Sequence, residues 1–363
     1  MKTKKIAIIT GGLGFIGTNL ISEIEHRFDQ LIIIDSLSER VHGLNPEINS
    51  SRHQIVIGQV QDQKTWKEVS NLFPSKNYSL EIFHLASDTS TANSLINPSA
   101  HVSTNILGTS TLLEFLHEYH EQIRRIVLSS TRAVYGEGIW KMSNGDLVCP
   151  DQRTNANLDS CIWNPFFGEN LCIEPIGISA QSASTNPTNI YGSTKLCQEL
   201  ILRNWCDSYD VPLNVFRLQN VYGPGQSLWN SYSGVISLFV RNALSGEPIE
   251  VYEGGGIIRD LIYVNDVVKI LGLDRDFPAG VKVIDVGSGI PITLFEVAKS
   301  ISNYCGAENP VISKKYRIGD VRGIYADNSK LTYFFNDFKI TDLSIGIAEL
   351  VNWAEIEIRK EAK

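Results

Sequence analysis

Short apolar runs alternate with stretches of helical periodicity along the first two thirds of the chain. Each run is rich in Ile, Val and Leu, which is typical of strands buried on both faces of a parallel sheet. The predicted strands are Lys5–Thr10, Leu31–Ile34, Gln54–Gly58, Leu80–Ala86, Arg125–Ser130 and Leu213–Leu218. The predicted helices are Thr18–Phe28, Trp66–Leu72, Ser99–Tyr119 and Ile190–Tyr209. Strands that alternate with helices predict an α/β fold with a doubly wound parallel sheet.

The alternation breaks in two places, which indicates how the chain is organised. A stretch at about residues 137–187, rich in Asn, Pro, Gly and Ser, is predicted to be a long, ordered insertion over the crevice at the strand ends. Residues 1–221 then form the first unit, and residues 222–363 form a smaller α/β region interleaved with it. The elements predicted in the second region are strands Ile249–Tyr252, Ile258–Tyr263 and Val281–Val286, and helices Ser233–Leu244, Leu294–Tyr304 and Ile345–Arg359. Residues 281–286 are expected to return to the main sheet, whereas Ser36–Ser51 and Asn220–Gln226 are predicted loops.

A glycine-rich turn follows the first predicted strand directly. The turn Gly11–Gly17 leads into a helix, and the second strand ends in Asp35. Glycines in this position allow a tight turn, a close approach of pyrophosphate to backbone N–H groups, and close packing of helix on strand. Asp35 is placed to accept hydrogen bonds from a ribose and to repel a 2′-phosphate. The pattern therefore predicts a Rossmann dinucleotide-binding unit that favours NAD over NADP.

Composition excludes several other classes of protein. The chain has 363 residues, 43% of them hydrophobic, and a net charge of −8 without a basic cluster, so nucleic acid is not an expected partner. No apolar run approaches the roughly 18–20 residues that span a bilayer, and no signal-peptide pattern is present, so we expect a cytoplasmic protein. The six cysteines form no C-x-x-C pair and no histidine follows His120, so we expect no metal site and mostly buried, free thiols.

The segment Tyr191–Lys195 carries the candidate chemistry. It places a phenol and an ammonium one helical turn apart, and a nearby cation favours the phenolate that a general base requires. Thr131 ends a strand at the same edge of the sheet and could hydrogen-bond the same substrate oxygen. The alternatives are an exposed helix pair for Tyr191 and Lys195, and an ordinary turn cap for Thr131.

These stretches together resemble the extended short-chain dehydrogenase/reductases, in particular the NAD-dependent nucleotide-sugar epimerase/dehydratase family. The resemblance covers nearly the whole chain. The matching motifs are Thr10–Gly17, His84–Ala86, Asn105 with Gly108 and Thr109, Ser129–Gly136, Tyr191–Lys195, Asn220–Gly225, and Arg259 with Asp260.

The resemblance implies a role for each matching position. Thr131, Tyr191 and Lys195 resemble the catalytic triad, and Asn105 resembles a residue that supports the lysine. The implied cofactor-binding residues are Gly11, Gly14, Phe15, Ile16, Gly17, Asp35, Gln59, Val60, Leu85, Ala86, Asn105, Tyr191 and Lys195. The implied substrate-binding residues are Ser87, Thr131, Asn220, Arg259, Arg317 and Asp320. Residues 222–363 are accordingly interpreted as a nucleotide-sugar-binding region.

Departures from the family pattern narrow the expected activity. The family usually has an acid at Gln59, but the glutamine carbonyl can still accept the adenine amine. Enzymes of the 4,6-dehydratase type carry an Asp-Glu pair directly after the catalytic Thr. The resemblance places Arg132 and Ala133 at those positions here, so dehydration is disfavoured. Val41–Gly43, Arg132–Gly138, the insertion and Asn220–Leu228 resemble the dTDP-L-rhamnose 4-epimerase type, although the insertion lacks the cysteine pairs frequent in that type.

The expected function is therefore NAD-dependent epimerisation of a nucleotide sugar through a transient keto sugar, most simply at carbon 4 of a dTDP-6-deoxyhexose such as dTDP-L-rhamnose. A 2-epimerase, a net NAD-dependent oxidoreductase and a non-catalytic sensor of NAD or nucleotide sugar are the alternatives. The resemblance also implies a homodimer, for which Leu112, Leu116, Leu196 and Leu200 are either contact or ordinary core residues. A role in polysaccharide biosynthesis fits a rhamnose-like substrate.

Overall fold

The structure is a computed structural model that describes residues 3–43, 53–229, 234–274, 281–335 and 338–361. Strands recur along this whole length. In chain order they are β1 Lys4–Thr10, β2 Gln30–Asp35, β3 Gln54–Ile57, β4 Tyr78–His84, β5 Ile123–Thr131, β6 Ile139–Lys141, β7 Leu147–Val148, β8 Phe166–Phe167, β9 Asn170–Leu171, β10 Glu174–Ile176, β11 Leu213–Leu218, β12 Asn220–Tyr222, β13 Glu250–Val251, β14 Ile258–Tyr263, β15 Val281–Val286, β16 Pro291–Thr293 and β17 Val311–Ile312.

Helices connect most of these strands. In chain order they are α1 Phe15–Ile24, α2 Glu39–His42, α3 Gln63–Ser70, α4 Thr91–Ile96, α5 Pro98–His101, α6 Gly108–Leu116, α7 Asn155–Asp159, α8 Ile190–Ser208, α9 Val235–Leu244, α10 Val264–Gly272, α11 Leu294–Cys305, α12 Ser329–Phe334 and α13 Leu343–Glu361. Short 3₁₀ turns occupy Glu25–Arg27, His117–Gln122, Arg132–Tyr135 and Glu253–Gly255, and Val102–Leu107 forms a π-helical segment.

The main sheet has seven strands in the order β15-β11-β5-β4-β1-β2-β3. Every neighbouring pair in it is parallel. The order reverses direction next to β1, and ligands of such sheets bind at that point, beyond the carboxyl ends of the strands. The predicted doubly wound α/β fold is confirmed, and the strand at residues 281–286 does pair with β11 in this sheet.

Both faces of the sheet are covered, which explains the continuous apolar runs. Along β1, Ile6 and Ile8 pack into a core with α3, α6 and α8, whereas Ala7 and Ile9 pack into the opposite core with α1, α9, α10, α11 and α13. Successive side chains of a strand point to opposite faces. Alternation between apolar and polar residues is therefore absent, because neither face meets water.

The insertion at residues 137–187 contains small elements of its own. β6 pairs antiparallel with β7 and β10, and β8 forms a hairpin with β9. Ile178 at its end forms a parallel bridge with Ala326. The insertion is thus connected to the C-terminal region by backbone pairing.

Several predicted boundaries differ from the structure. The first helix starts at Phe15 instead of Thr18. Gly14 has extended backbone and is its N-cap, so the helix includes the last residues of the glycine-rich turn. The predicted loop Asn220–Gln226 is wrong for residues 220–222, which form β12 beside β14. A short helix, α2, lies within the predicted loop Ser36–Ser51, of which residues 44–51 lie outside the described residues.

Two further expectations were only partly met. All six cysteines are free, but only Cys172 and Cys206 are buried, so the expectation of mostly buried thiols is wrong. Leu112 and Leu116 are fully enclosed in the core of the chain, and Leu200 is 39% exposed. The two enclosed leucines are therefore ordinary core residues.

Replacing Gly17 by alanine should destabilise the protein. In a helix, Gly to Ala alone stabilises by about 1 kcal/mol. A Cβ at Gly17, however, would lie 2.5 Å from the Gly11 carbonyl oxygen and 2.6 Å from Gly12 backbone atoms. Because this contact is with backbone, we expect a net loss of about 1–3 kcal/mol, the usual range for overpacking, in urea unfolding.

Gly14→Ala is the matched control, because the nearest atom to its Cβ is the Gly11 carbonyl oxygen at 3.4 Å. It should cost at most about 1 kcal/mol, as expected for a less favourable N-cap residue. A Gly17→Ala protein as stable as the wild type would contradict the close packing of α1 on the strand ends.

Candidate active site

The glycine-rich turn brings backbone from two strands into contact. Gly11 has φ +67°, and a Cβ there would lie 2.8 Å from the Ala86 nitrogen just beyond β4. Gly14 is the N-cap of α1 and no side chain caps that end among the described residues. The first N–H groups of α1 therefore remain available to an anion such as a pyrophosphate.

Asp35 is held as a carboxylate at the end of β2. It accepts hydrogen bonds from the Leu13 nitrogen at 3.0 Å, the Leu37 nitrogen at 2.9 Å and His42 Nε2 at 3.1 Å. Burial alone would raise the pKa of Asp35, but these bonds together lower it below its ordinary value. A negative charge is therefore fixed at the position expected for the adenosine ribose.

A cavity of about 1200 Å³ runs along this edge of the sheet. It is lined by the predicted cofactor residues of the glycine turn and the strand ends. These are Gly11, Gly14, Phe15, Ile16, Gly17, Asp35, Gln59, Val60, Leu85 and Ala86, with Ser87 of the predicted substrate residues. The cavity has the volume and the polar contacts that NAD requires, so the residues present fit this cofactor.

Gln59 is the departure from the family at the adenine end. Its side-chain carbonyl already accepts a hydrogen bond from Gln61 Nε2. A carbonyl oxygen has two lone pairs, so Gln59 keeps one further acceptor position toward the cavity.

The predicted catalytic residues Thr131 and Lys195 are buried, and Tyr191 is half-buried. Asn189 caps α8 by accepting a bond from the Gly192 nitrogen at 2.8 Å, which fixes the turn that carries Tyr191. Burial raises the pKa of Tyr191, whereas hydrogen bonding by Thr131 and the charge of Arg132 act in the opposite direction. The Thr131 hydroxyl is therefore within hydrogen-bonding range of the Tyr191 phenol.

Lys195 is almost fully buried, with 1% of its surface exposed. Burial lowers its pKa to about 7, and the charge of Glu199 opposes this shift. Its Nζ donates to Gln198 Oε1, and Gln198 Nε2 donates to Thr109 Oγ1 at 2.8 Å. The ammonium group is therefore anchored from within its own helix.

The anchor of Lys195 continues beneath the glycine turn. His84 Nε2 lies 3.0 Å from Thr109 Oγ1, and His84 Nδ1 lies 2.7 Å from Thr10 Oγ1. Thr10 Oγ1 also accepts a bond from the Ala86 nitrogen at 3.2 Å. Burial, with the charge of Lys195, lowers the pKa of His84 to about 3, so this imidazole is neutral. A continuous buried network therefore links the cofactor turn to Lys195.

Asn105 lies in the π-helical segment and has a more indirect position than the resemblance implies. Its Nδ2 donates to Thr194 Oγ1 at 2.9 Å and to the Asp88 carbonyl at 3.0 Å. Its Oδ1 accepts from Ser87 Oγ at 3.0 Å and from the Asp88 nitrogen at 2.8 Å. Asn105 thus reaches the residue before Lys195 and orders the loop after β4.

The predicted substrate residues form a second polar group. Arg259 is 3% exposed, and its Nη2 donates to Asp320 Oδ1 at 2.9 Å. Arg132 Nε donates to Asn220 Oδ1 at 2.9 Å, which leaves the Asn220 amide N–H groups free to donate elsewhere. Arg317 is exposed, with its guanidinium carbon 5.8 Å from the centre of the Tyr252 ring.

Most of the predicted catalytic and substrate residues lie outside the lining of the large cavity. Thr131, Tyr191, Lys195, Asn105, Asn220, Arg259, Arg317 and Asp320 are not among the residues lining the large cavity. Electrostatic interactions join the catalytic residues to the substrate residues, because Arg132 interacts with Tyr191 and also with Arg259 and Asp320. Burial and the charge of Arg259 lower the pKa of Arg132 to about 10, so it remains a cation at neutral pH.

Some residues of this site could not have been selected from the sequence. Arg153 of the insertion, Glu137 and Glu253 form a buried charged group beside Asp320. Arg153 and Glu253 lie in no short motif, and Glu137 lies in the stretch Arg132–Gly138 without a role implied there, so only their burial reveals them. Arg132, by contrast, was visible as a cation directly after Thr131.

Across the described residues, no group of three or more His, Cys, Asp or Glu side chains could hold a metal ion. Within the same residues, no helix is both long and apolar enough to cross a membrane.

A parallel sheet in this order, with a dinucleotide cradle and a helix that carries Tyr191 and the buried Lys195 at one edge, identifies the chain as an extended short-chain dehydrogenase/reductase, an enzyme class that uses a nicotinamide dinucleotide. More narrowly, it belongs to the NAD dependent epimerase/dehydratase family, which residues 165–275 match. Residues 8–140 match the GDP-mannose 4,6 dehydratase family.

Individual relatives agree with this family. The chain is 34% identical to dTDP-L-rhamnose 4-epimerase of Burkholderia thailandensis, over 99% of this chain and 97% of that protein. UDP-N-acetylglucosamine 4-epimerase from Methanobrevibacter ruminantium, solved with UDP-N-acetylmuramic acid, superposes with a TM-score of 0.74 at 26% identity over 98% of this chain and 100% of that one. UDP-glucose 4-epimerase from Thermotoga maritima, solved with UDP-glucose, shares the fold at a TM-score of 0.76 and 24% identity, over 99% of this chain and 100% of that one.

Asp35→Asn should weaken binding of NAD more than binding of NADP. A hydrogen bond to a charged group contributes about 1.5–3 kcal/mol, so we expect the Kd for NAD to rise about 10- to 100-fold. NADP should lose less, because the repulsion of its 2′-phosphate is also removed. Calorimetric titration of cofactor-depleted protein measures both values.

The control for this measurement is Asp146→Asn, an exposed acid in a turn of the insertion, which should leave both Kd values unchanged. Equal loss of NAD and NADP affinity in Asp35→Asn would contradict the assignment of Asp35 to the ribose.

Proposed function

We propose that this protein is a nucleotide-sugar 4-epimerase, acting on a dTDP-6-deoxyhexose such as dTDP-L-rhamnose. The observation that carries the proposal is the contact between Thr131 and Tyr191 at the carboxyl edge of the sheet, next to the Arg259–Asp320 pair. A base for a hydroxyl group thus lies close to a cation suited to a diphosphate. The 34% identity to a dTDP-L-rhamnose 4-epimerase supports the choice of sugar and nucleotide.

In the proposed mechanism, Tyr191 takes the proton of the sugar hydroxyl while Thr131 shares its hydrogen bond. The glycine turn and Asp35 would hold NAD, which would supply reversible hydride transfer at the same sugar carbon, so that the keto sugar is transient. The charge of Arg132 favours the phenolate of Tyr191. Lys195, whose pKa is lowered by burial to about 7, adds positive charge on the same helix when it is protonated, and its hydrogen bond to Gln198 holds it there. Tyr191 then returns the proton, and the site contributes mainly by orienting both faces of the sugar.

Substrate binding is assigned to the second polar group. The fork of Arg259 suits two oxygens of a diphosphate at once, and Arg317 is exposed and free to approach the same group. Asp320 suits a ribose hydroxyl, because the surrounding arginines outweigh the effect of burial and lower its pKa. Asn220 presents N–H donors to the sugar, since Arg132 occupies its oxygen. Ser87 lines the cavity and donates to Asn105 Oδ1.

Elimination of water is not expected at this site. It needs an acid and a base directly after Thr131, and Arg132 and Ala133 supply neither at neutral pH. The match of residues 8–140 to a dehydratase family covers the cofactor-binding half, which both activities share.

Two further parts of the proposal concern organisation. We propose that residues 1–221 bind NAD and residues 222–363 bind the nucleotide sugar. We also propose a homodimer, for which exposed Leu200 on α8 remains a candidate contact.

The primary test is NMR of dTDP-L-rhamnose with purified protein in D₂O and no added cofactor. The expected product is the epimer at carbon 4 without deuterium, because retained NAD returns the same hydride. Tyr191→Phe should abolish the reaction, whereas Tyr333→Phe, at a 75% exposed tyrosine, should not change it.

Each other result points to another function. Deuterium in the ring indicates enolisation, stoichiometric reduced cofactor indicates a net oxidoreductase, and inversion at carbon 2 indicates a 2-epimerase. If dTDP-L-rhamnose is not converted, it is excluded as the substrate, and UDP- and CDP-sugars are tested next. Unchanged biological function of Tyr191→Phe would favour a non-catalytic sensor.

Thr131→Val should move the pH dependence of kcat. The Thr131 hydrogen bond lowers the pKa of Tyr191, and the base acts deprotonated, so activity rises as pH increases through that pKa. Loss of the bond raises the pKa and shifts the acidic limb upward by roughly one pH unit, or about tenfold in activity on that limb. Thr131→Ser retains a hydroxyl and should retain the wild-type profile. A lower kcat with an unmoved profile would exclude this role for Thr131.

A further inference from the structure

The insertion contacts the stretch of chain that carries two of the proposed substrate residues. This stretch, residues 315–327, is named here the ligand segment and contains Arg317 and Asp320. The insertion has no counterpart in the alternating sheet, and its chemistry is not used in the proposed mechanism. Its contacts with the ligand segment therefore need their own explanation.

Arg153 is the centre of these contacts, and its side chain is 2% exposed. Its Nε donates to Glu137 Oε1 at 3.1 Å, and its two terminal nitrogens donate to Glu253 at 2.6 and 3.2 Å. Nη1 also donates to the Trp163 carbonyl at 3.1 Å, and Nη2 donates to the Asp320 carbonyl at 2.6 Å. The guanidinium thus bonds in one plane to the insertion, to the Glu253 turn and to the ligand segment.

Asp320 is held from two sides as a result. Its backbone carbonyl is bound by Arg153, and its carboxylate is bound by Arg259 at 2.9 Å. Glu137 adds a third point, because its Oε2 accepts from the Arg322 nitrogen at 2.9 Å. The position of the Arg259–Asp320 pair therefore depends on two residues from the insertion.

Weaker contacts extend along the ligand segment. The Tyr316 hydroxyl donates to Asp159 Oδ1 at 2.6 Å, and Arg322 Nε donates to Asn164 Oδ1 at 3.3 Å. Ile178 pairs with the far end of the segment through backbone bonds of 3.0 and 2.7 Å to Tyr325 and Asp327. The insertion thus contacts the ligand segment at its start, middle and end.

The cluster contains as many arginines as glutamates, although burial raises the pKa of Glu137 to about 7. Two arginines, Arg153 and Arg322, face two glutamates, Glu137 and Glu253. Buried charges are costly to desolvate, and a well-packed apolar cluster would often give equal or greater stability. The planar fork of arginine instead defines direction, which is a property useful for positioning.

We propose that Arg153 is a positioning residue of the substrate site, which fixes the ligand segment so that Arg259 and Asp320 are oriented for a nucleoside diphosphate. This inference rests on the proposed function of that site. The insertion would then take part in binding the nucleotide part of the substrate. This role is separate from NAD binding, which is assigned to the glycine turn and Asp35.

The test compares Arg153→Lys and Arg153→Met with wild type. A lysine ammonium can replace at most one of the five hydrogen bonds of Arg153 with the same geometry, and a methionine can replace none. Both variants should therefore raise KM for the nucleotide sugar and Kd for free dTDP by about tenfold or more. We expect kcat to change less than about threefold and the Kd for NAD to stay unchanged. Calorimetry with dTDP and with NAD gives both binding constants.

Two further variants control for folding. Lys141→Met removes an exposed ion pair with Glu174 in the same insertion and should change neither constant. Tyr316→Phe removes only the bond to Asp159 and should raise the Kd for dTDP slightly without loss of stability.

Wild-type affinity for dTDP in Arg153→Lys overturns the proposal, and so does a parallel loss of NAD affinity in both Arg153 variants. Failure of the proposed function is distinguishable. A wild-type protein that binds dTDP but does not epimerise the sugar rejects the epimerase and still allows the Arg153 comparison. A wild-type protein that binds neither dTDP nor UDP rejects the nucleotide site itself and with it this role for Arg153.

Discussion

The buried hydrogen-bond network between Thr10 and Lys195 is the constraint on which the site depends. It crosses the ends of β1 and β4, passes the neutral His84, and reaches α8 through Thr109 and Gln198. Unpaired polar groups in such a position would each cost several kcal/mol in an apolar environment, so the network favours one arrangement of these elements. The cofactor turn and the Tyr191–Lys195 helix are consequently fixed relative to each other.

Much of the fold could be predicted because the main strands are buried on both faces. The bounds of Leu213–Leu218 and Val281–Val286 agree with the structure, since each stretch is largely apolar and lies between segments rich in Pro, Gly or polar residues. The predicted cofactor residues converge on one cavity for a related reason. The carboxyl ends of parallel strands meet at one edge, so local sequence at each strand end is sufficient.

The remainder depends on contacts between distant residues, which no local pattern contains. The sequence predicts a turn at Asn220–Tyr222 because glycines and a proline follow directly. The three residues nevertheless form a strand, because β14 pairs with them. Leu112 and Leu200 look alike in sequence, but only packing decides that one is enclosed and the other exposed. Arg153 is an isolated cation in a polar stretch until residues from the C-terminal region surround it.

The position of β15 has a consequence for how the chain is made. β15 covers the side of β11 that faces away from β5, yet it follows β11 by a whole region of intervening chain. During synthesis, β11 leaves the ribosome as an apolar edge strand whose outer hydrogen-bonding groups have no partner. Nascent chains that have not yet reached residue 281 expose this edge to one another. The parallel pairing of β15 with β11 also forms slowly, because the two strands are far apart in sequence. The pace of translation through residues 219–280 therefore determines how long each new molecule remains prone to aggregation.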